Sequence, residues 1–249
     1  MTNDYEKYAK ARQEALLSGE HKPHRYVEKP MMREMLPDLT GMRVLMLGCG
    51  TGEETKLLEH AGAAELVGVD LSENSIRIAK ETYPKYEFMV GDMHKLPFDD
   101  GSFDFVYSSL TVHYSSDPGS VYAEIYRVLR SGGELLFSVG HPLRWSSENV
   151  TIGDIPLRLI GYTREYDGEQ IVYGNYHTFA LHEHSFPDTN ALAFYTGSPS
   201  MHFKLLKEQG FLVENFTESK CIEECKDVDL DYYRIYSEIP QFMAFLVRK

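Results

Sequence analysis

Cysteine is scarce in this chain of 249 residues: Cys49, Cys221 and Cys225 cannot all pair, which excludes a disulfide framework and points to a reducing compartment. Apolar runs are short, none approaching the roughly 20 residues of a membrane span. The opening MTNDYEKYAK carries no apolar signal core. Basic residues are in deficit, 25 Lys+Arg against 38 Asp+Glu, and the net charge of −13 offers no general attraction to phosphate backbones. Nucleic acid is therefore a disfavoured partner. Internal repeats and low-complexity tracts are also missing. These absences predict a cytoplasmic protein without a membrane span. What is present is ordinary globular material, 43% hydrophobic and 25% charged, long enough to bury a full core.

From Met42 onward short β runs alternate with helices. RVLML (43–47), ELVGV (65–69), YEFMV (86–90), FDFVYS (103–108) and ELLFSV (134–139) are apolar on both faces, as doubly covered parallel strands require. Ser72 predicts the cap of a helix over Glu73 to Thr82. Asp117 with Pro118 opens another, whose buried stripe is Val121, Ile125, Val128 and Leu129 and which Gly132 and Gly133 stop. Alternation of this kind implies right-handed crossovers and a doubly wound α/β sheet. Ahead of it, residues 1–40 read as a helix, a proline-broken segment and a second helix. Tyr5, Tyr8 and Leu16 share a face of the first, Met31, Met32, Met35 and Leu36 line the second, and Pro37 and Gly41 end it. Residues 141–195 break the rhythm: Trp145, Tyr162, Tyr166, Tyr173, Tyr176 and His177 stand among glycines, a pattern of hairpins. Ser198 and Pro199 then start a helix with Met201, Leu205 and Leu206, stopped by Gly210. FLVENF (211–216) and FMAFLV (242–247) are the last strands. Between them, Glu218 to Glu238 holds seven acids against three bases and reads as a solvated loop or short helix.

Ligands of an open parallel sheet bind where strand carboxyl ends meet the following turns. Past the first strand stands Gly48-Cys49-Gly50-Thr51-Gly52, opening a helix, and past the second Asp70. Gly91-Asp92-Met93 follows the third, Ser108, Ser109 and Leu110 the fourth, and Gly140-His141-Pro142 the fifth. The glycine turn lets backbone approach a ligand and aims N–H groups at it. Asp70, eighteen residues past Gly52, has the separation of an acid that accepts hydrogen bonds from ribose hydroxyls. Together they point to a nucleoside. A Walker phosphate loop is excluded, because no GK[ST] follows the glycines. A dinucleotide fingerprint aligned on Gly48 and Gly50 wants Gly or Ala where this chain has Glu53. Glu53 and Glu54 also put two carboxylates where a pyrophosphate would sit. A phosphate-free nucleoside carrying a sulfonium and an ammonium avoids that conflict.

Four blocks, VLMLGCGTGEET, VGVDLS, GDMHKLPFDDGSFDFVYSSLTVHY and VLRSGGELLFSVGHP, resemble class I S-adenosylmethionine-dependent methyltransferases of the small-molecule (UbiE-like) type. The resemblance covers about residues 27–140, with a weaker echo at 198–216. It implies a Rossmann-like, mostly parallel seven-stranded sheet with an antiparallel last strand. In that frame residues 1–40 form a helical lid, 41–140 the S-adenosylmethionine-binding core, 141–195 an inserted cap over the acceptor, and 196–249 the rest of the sheet. The resemblance further implies that Gly48, Cys49, Gly50 and Gly52 cradle the methionine portion, that Asp70 binds ribose and that Leu71 packs on adenine. Asp92 would take the adenine amino group with Met93 alongside, and Ser108 and Ser109 would offer carbonyls near the ammonium. One position departs: where the family usually has an acid, two residues before the first glycine, this chain has Met46.

A sulfonium already activates its methyl group, so the protein's task is alignment and exclusion of water, with a base only where the acceptor must lose a proton. His113, Tyr114 and His141 lie beyond the fourth and fifth strands, and His141 is the expected polar substrate contact or base; its position before proline equally suits a structural turn. His182 with His184, and Cys221 with Cys225, are incomplete ligand sets, so no metal is expected. The expected partner is a small-molecule methyl acceptor. The alternatives are an RNA or protein methyltransferase, and a non-catalytic nucleoside-binding module, which Met46 favours.

Overall fold

The computed structural model describes residues 21–152, 154–184 and 192–249; the expected first helix with Tyr5, Tyr8 and Leu16 lies outside them. At the start of the described chain, a π turn over His24–Glu28 runs directly into α1, Lys29–Met35. Pro30 does not interrupt this run, and the junction with the expected first helix lies outside the described residues. Pro30 has no N–H, so the Tyr26 carbonyl loses its helical donor and accepts from the Ile222 N–H instead, at 2.9 Å. The Lys29 N–H reaches back to the His24 carbonyl, which closes the widened turn. Met31, Met32 and Met35 are buried as expected, and the helix ends as Leu36 turns extended before Pro37.

The alternating core follows: β1 (Arg43–Leu47), α2 (Thr55–His60), β2 (Glu65–Asp70), α3 (Glu73–Thr82), β3 (Glu87–Val90), β4 (Phe103–Ser108), α4 (Pro118–Val128) and β5 (Leu129–Gly140). Ser72 caps α3 by accepting the Ser75 N–H, and Asp117 caps α4 by accepting that of Ser120. α4 stops at Val128, earlier than the glycines would dictate. The Lys249 ammonium takes the carbonyls of Tyr126 (2.6 Å) and Leu129 (2.7 Å), satisfying the helix end, and Gly132 and Gly133 fall inside β5.

Residues 141–196 add a one-turn helix, α5 (Pro142–Trp145), and three antiparallel hairpins. These are β6 (Glu148–Ile152) with β7 (Ile155–Leu159), β8 (Thr163–Tyr166) with β9 (Glu169–Val172), and β10 (Ala180–His184) with β11 (Leu192–Thr196). The sheet is completed by α6 (Pro199–Gln209), β12 (Leu212–Glu218), α7 (Leu230–Tyr236) and β13 (Phe242–Arg248). Ser198 caps α6, and Gly210 ends it in the left-handed conformation at φ 96°. The acidic stretch is more buried than its charge predicts. Its acids face water, whereas Cys221, Cys225 and Tyr236 pack inward, and Lys22 bonds Asp229 at 2.5 Å.

The seven strands run in the order β12-β13-β5-β4-β1-β2-β3, parallel throughout except for β13, which is antiparallel to both neighbours. Successive residues of β1 feed opposite layers. Val44 and Met46 pack under α1, α2 and α3, with Met32, Leu58, Ile76 and Ala79. Leu45 and Leu47 pack under α4 and α6, with Val121, Ile125 and Leu206. Both faces are buried, which is why these strands lack polar alternation. Each such side chain contributes roughly 1.5 to 3 kcal/mol by leaving water. Strand order reverses between β1 and β4, whose registers meet at Met46 and Tyr107, and this switch point fixes where a ligand can enter.

Candidate active site

Glycine is required in the turn after β1. Gly48, Gly50 and Gly52 have φ of 66°, 53° and 84°. A Cβ on Gly48 would fall 2.1 Å from the Thr111 hydroxyl oxygen, and one on Gly50 would fall 2.9 Å from a Glu53 carboxylate oxygen. The turn is tied to the neighbouring strand: the Val69 carbonyl accepts the N–H groups of Gly48 (2.8 Å) and Cys49 (3.0 Å). Burial, reinforced by Asp70 and Glu53, pushes the Cys49 thiol well up, so that side chain is packing and not a nucleophile.

Asp70, at the end of β2, fastens two turns together. One carboxylate oxygen accepts the Gly50 N–H and the other the Ser72 N–H, both at 2.9 Å. Leu71 beside it is 61% exposed, an apolar side chain presented to solvent at the rim. Asp92, after β3, accepts both the backbone N–H and the ring Nδ1 of His94 through a single oxygen, with ring contact at 2.7 Å. Those bonds hold its carboxyl below the usual range. His94 Nε2 meets the Ser115 hydroxyl, also at 2.7 Å, and Met93 is half-buried against the core.

Beyond β4 lies a feature the sequence did not announce. Leu110 has φ 49°, rare for a branched side chain, and its N–H donates to the Ser138 hydroxyl at 3.1 Å. Ser138 in turn donates to Glu28 at 2.7 Å, and Ser109 donates to the same Glu28 oxygen at 2.8 Å. The Ser108 hydroxyl is buried without a hydrogen-bond partner among the described residues. Thus α1, β4 and β5 converge at this corner through Glu28. Lys29 pairs with Glu54 at the start of α2, and Tyr107 donates to Glu54 at 3.4 Å.

The three expected acceptor-side residues are placed differently from one another. His141 is buried and caps α5, its Nδ1 accepting the Leu143 N–H at 3.2 Å while Nε2 meets Glu218 at 2.9 Å. Both ring nitrogens are thereby engaged by the chain itself, and burial lowers its pKa against the opposing pull of Glu218. His113 and Tyr114 lie in the turn after β4, ring centroids 4.4 Å apart. His113 Nδ1 accepts the Gly140 N–H at 3.4 Å, and its ring lies 5.5 Å from Phe194 of β11. Phe194 meets Trp145 edge-on at 4.8 Å, and His182 lies 5.7 Å from Trp145 and bonds Thr196 at 2.8 Å. Phe194 was missed by sequence reading; its only signal is the short apolar and aromatic run from Leu192 to Thr196. His182 thus belongs to an aromatic wall. Cys221 and Cys225 are buried free thiols, with burial and Cys225 pushing Cys221 up to about 12. Among the described residues no group of three or more His, Cys, Asp or Glu could hold a metal ion.

The rim fits a cationic nucleoside. Glu53 and Asp70 stand at the glycine turn, with Glu54 at the start of α2, Asp92 past β3 and an exposed Leu71 beside Asp70. A pyrophosphate would meet these carboxylates; a sulfonium and an ammonium would be attracted by them.

Residues 45–137 match the family model described as a methyltransferase domain. The chain is 40% identical over 113 residues to a demethylmenaquinone methyltransferase of Lactococcus lactis, covering 42% of this chain and 45% of that protein. It is 30% identical over 163 residues to a malonyl-[acyl-carrier protein] O-methyltransferase of Yersinia pestis, covering 61% and 58%. This chain spans about half the length of the curated relatives it matches. In fold it resembles an S-adenosylmethionine dependent methyltransferase from Mesorhizobium loti, with TM-score 0.72 and 23% identity over 89% of this chain and 97% of that one. No helix among the described residues is long and apolar enough to cross a membrane. Residues 45–137 therefore match a methyltransferase domain, set within a longer sheet whose fold is that of S-adenosylmethionine-dependent methyltransferases of known structure.

Proposed function

We propose that the protein transfers a methyl group from S-adenosylmethionine to a small-molecule acceptor by in-line displacement at the sulfonium. The reading is carried by the gathering of Gly48–Gly52, Asp70, Asp92 and Ser109 on one edge of the sheet, at the switch point between β1 and β4, under a predominantly acidic field. When bound, the cofactor supplies the activated methyl; the chain supplies position. Asp70 and Gly50, already joined, hold the ribose and the methionine portion in register, and Leu71 covers adenine with Asp92 at its amino edge. Trp145, Phe194, His113 and Tyr114 form the wall that faces the acceptor, and their aromatic surfaces suit a flat or apolar body. The described residues among 141–196 shield that space from water.

No dedicated base is assigned. His141 is spent on the α5 cap and Glu218, so alignment and desolvation carry the rate. The malonyl and demethylmenaquinone relatives suggest acyl carboxylates and quinol-type rings as the first acceptors to try. Two measurements test the reading: calorimetric binding of S-adenosylhomocysteine, and methyl release from labelled cofactor across such acceptors. Binding of NAD in place of the homocysteine nucleoside, or binding without transfer to any small molecule and with salt-dependent tRNA affinity, overturns it.

A further inference from the structure

Glu28 is costly to keep where it is: its side chain has no solvent exposure, and a carboxylate removed from water is destabilising unless it is well compensated. One oxygen is satisfied twice, by Ser109 and Ser138. The other accepts no hydrogen bond among the described residues, and faces the Lys29 ammonium at 3.6 Å and His24 Nδ1 at 3.7 Å. The Lys29 ammonium also touches Glu54 and approaches the Ser109 hydroxyl at 3.3 Å. It occupies a seat made of two carboxylates and a hydroxyl, beside the end of β4 and the start of α2. On the same face of the sheet, β1 presents Met46, buried against Thr55, at the position where the family this sequence resembles usually has an acid.

We propose that Glu28, supported by Glu54, is the carboxylate that receives the cofactor's ammonium, and that Lys29 holds that seat as a surrogate cation until the cofactor displaces it. The inference rests on S-adenosylmethionine being the ligand. It accounts for three things together: a methionine in β1 where the family this sequence resembles usually has an acid, a buried carboxylate with one oxygen that accepts no hydrogen bond among the described residues, and a cation from the chain's own helix lodged between two acids. The π turn that ends on Glu28 places its side chain over β4 and β5.

The test compares two ligands that share adenosine and differ at its 5′ end. S-Adenosylhomocysteine has the ammonium; 5′-methylthioadenosine lacks the amino-acid portion. In titration calorimetry Glu28→Gln should weaken S-adenosylhomocysteine by about 10- to 100-fold, the range of a hydrogen bond to a charged group. It should leave methylthioadenosine within about twofold, inside the non-additive scatter of distant sites. Lys29→Met, which removes the competitor, should tighten S-adenosylhomocysteine and leave methylthioadenosine alone. Should Glu28→Gln fail to fold by circular dichroism, Glu54→Gln repeats the comparison from the other carboxylate. Equal losses for both ligands, no loss for either, or weaker S-adenosylhomocysteine binding in Lys29→Met would overturn the proposal. Wild-type protein that binds neither ligand would instead overturn the cofactor reading itself.

Discussion

Asp70→Ala separates the structural duty of this acid from its binding duty. In the ligand-free chain its two oxygens each accept a backbone N–H at 2.9 Å, from Gly50 and Ser72. Hydrogen bonds to a charged group contribute about 1.5 to 3 kcal/mol each, and the half-buried setting here lets water replace part of that. The expected loss in urea unfolding is therefore about 2 to 3 kcal/mol in total for the two bonds. Ribose binding loses a further contribution of about 1 to 3 kcal/mol, which is roughly 5- to 150-fold in Kd. S-Adenosylhomocysteine and 5′-methylthioadenosine carry the same ribose, so both should weaken by at least fivefold in calorimetry. S-Adenosylhomocysteine should lose the more, because the Gly50 turn, which we propose cradles its amino-acid portion, is slackened too. Asp70→Asn, which keeps an acceptor but no charge, should fall between wild type and Ala. Unchanged affinity for methylthioadenosine would place the ribose elsewhere and refute the assignment, whatever happened to stability.

Gly48→Ala should destabilise the fold by more than the roughly 1 to 2 kcal/mol of a left-handed alanine, since Thr111 must also move; an unchanged melting temperature would show that the turn is loose. His202 is buried against the Tyr122 hydroxyl at 2.7 Å, and burial pushes its pKa down to about 3. The unfolded chain binds that proton near pH 6.5 and the folded chain does not, so this contribution to stability is complete above about pH 6.5 and is lost as pH falls toward 3, on the order of 5 kcal/mol in all. His202→Gln should flatten that part of the stability–pH curve, and parallel curves for the two proteins would contradict it. Phe194→Ala should leave S-adenosylhomocysteine binding alone and lower acceptor kcat/KM by about fivefold or more, from ring contacts worth roughly 0.5 to 1.5 kcal/mol each; an effect on cofactor affinity instead would move the aromatic wall to the wrong side of the site.

Where local chemistry decides the structure, the sequence was legible. Ser72, Asp117 and Ser198 cap their helices because a side-chain oxygen two or three residues ahead of an unpaired N–H is a local event. Strand positions were equally plain, since β1, β2 and β4 are buried on both faces and cannot accommodate polar alternation. The errors share one cause. α4 ends at Val128 because Lys249, 120 residues from Leu129, supplies the cap that the glycines were expected to make unnecessary. The helix through Pro30 survives because Ile222, far along the chain, donates to the carbonyl that proline strands. Cys225 is buried in an acidic stretch because that stretch folds against α1 and not into solvent. Each is a distant donor or apolar face overriding a local rule.

The site divides along the same line. Its glycine turn and its acids at strand ends follow from topology, because an open parallel sheet sends successive strand ends to one edge wherever its crossovers are right-handed. Glu28 follows from nothing local. It ends the π turn that leads into the methionine-rich α1, and its partners Ser109 and Ser138 are 81 and 110 residues away. An acid on β1 would be fixed by the sheet whether or not a ligand were present. An acid on the helix is held only while that helix is docked. By linkage, a ligand that bonds Glu28 therefore stabilises the docked position of α1 by the same free energy it gains there. Transferring the ammonium's partner from strand to helix thus joins cofactor binding to the placement of residues that precede the core, a coupling that β1 with Met46 cannot provide.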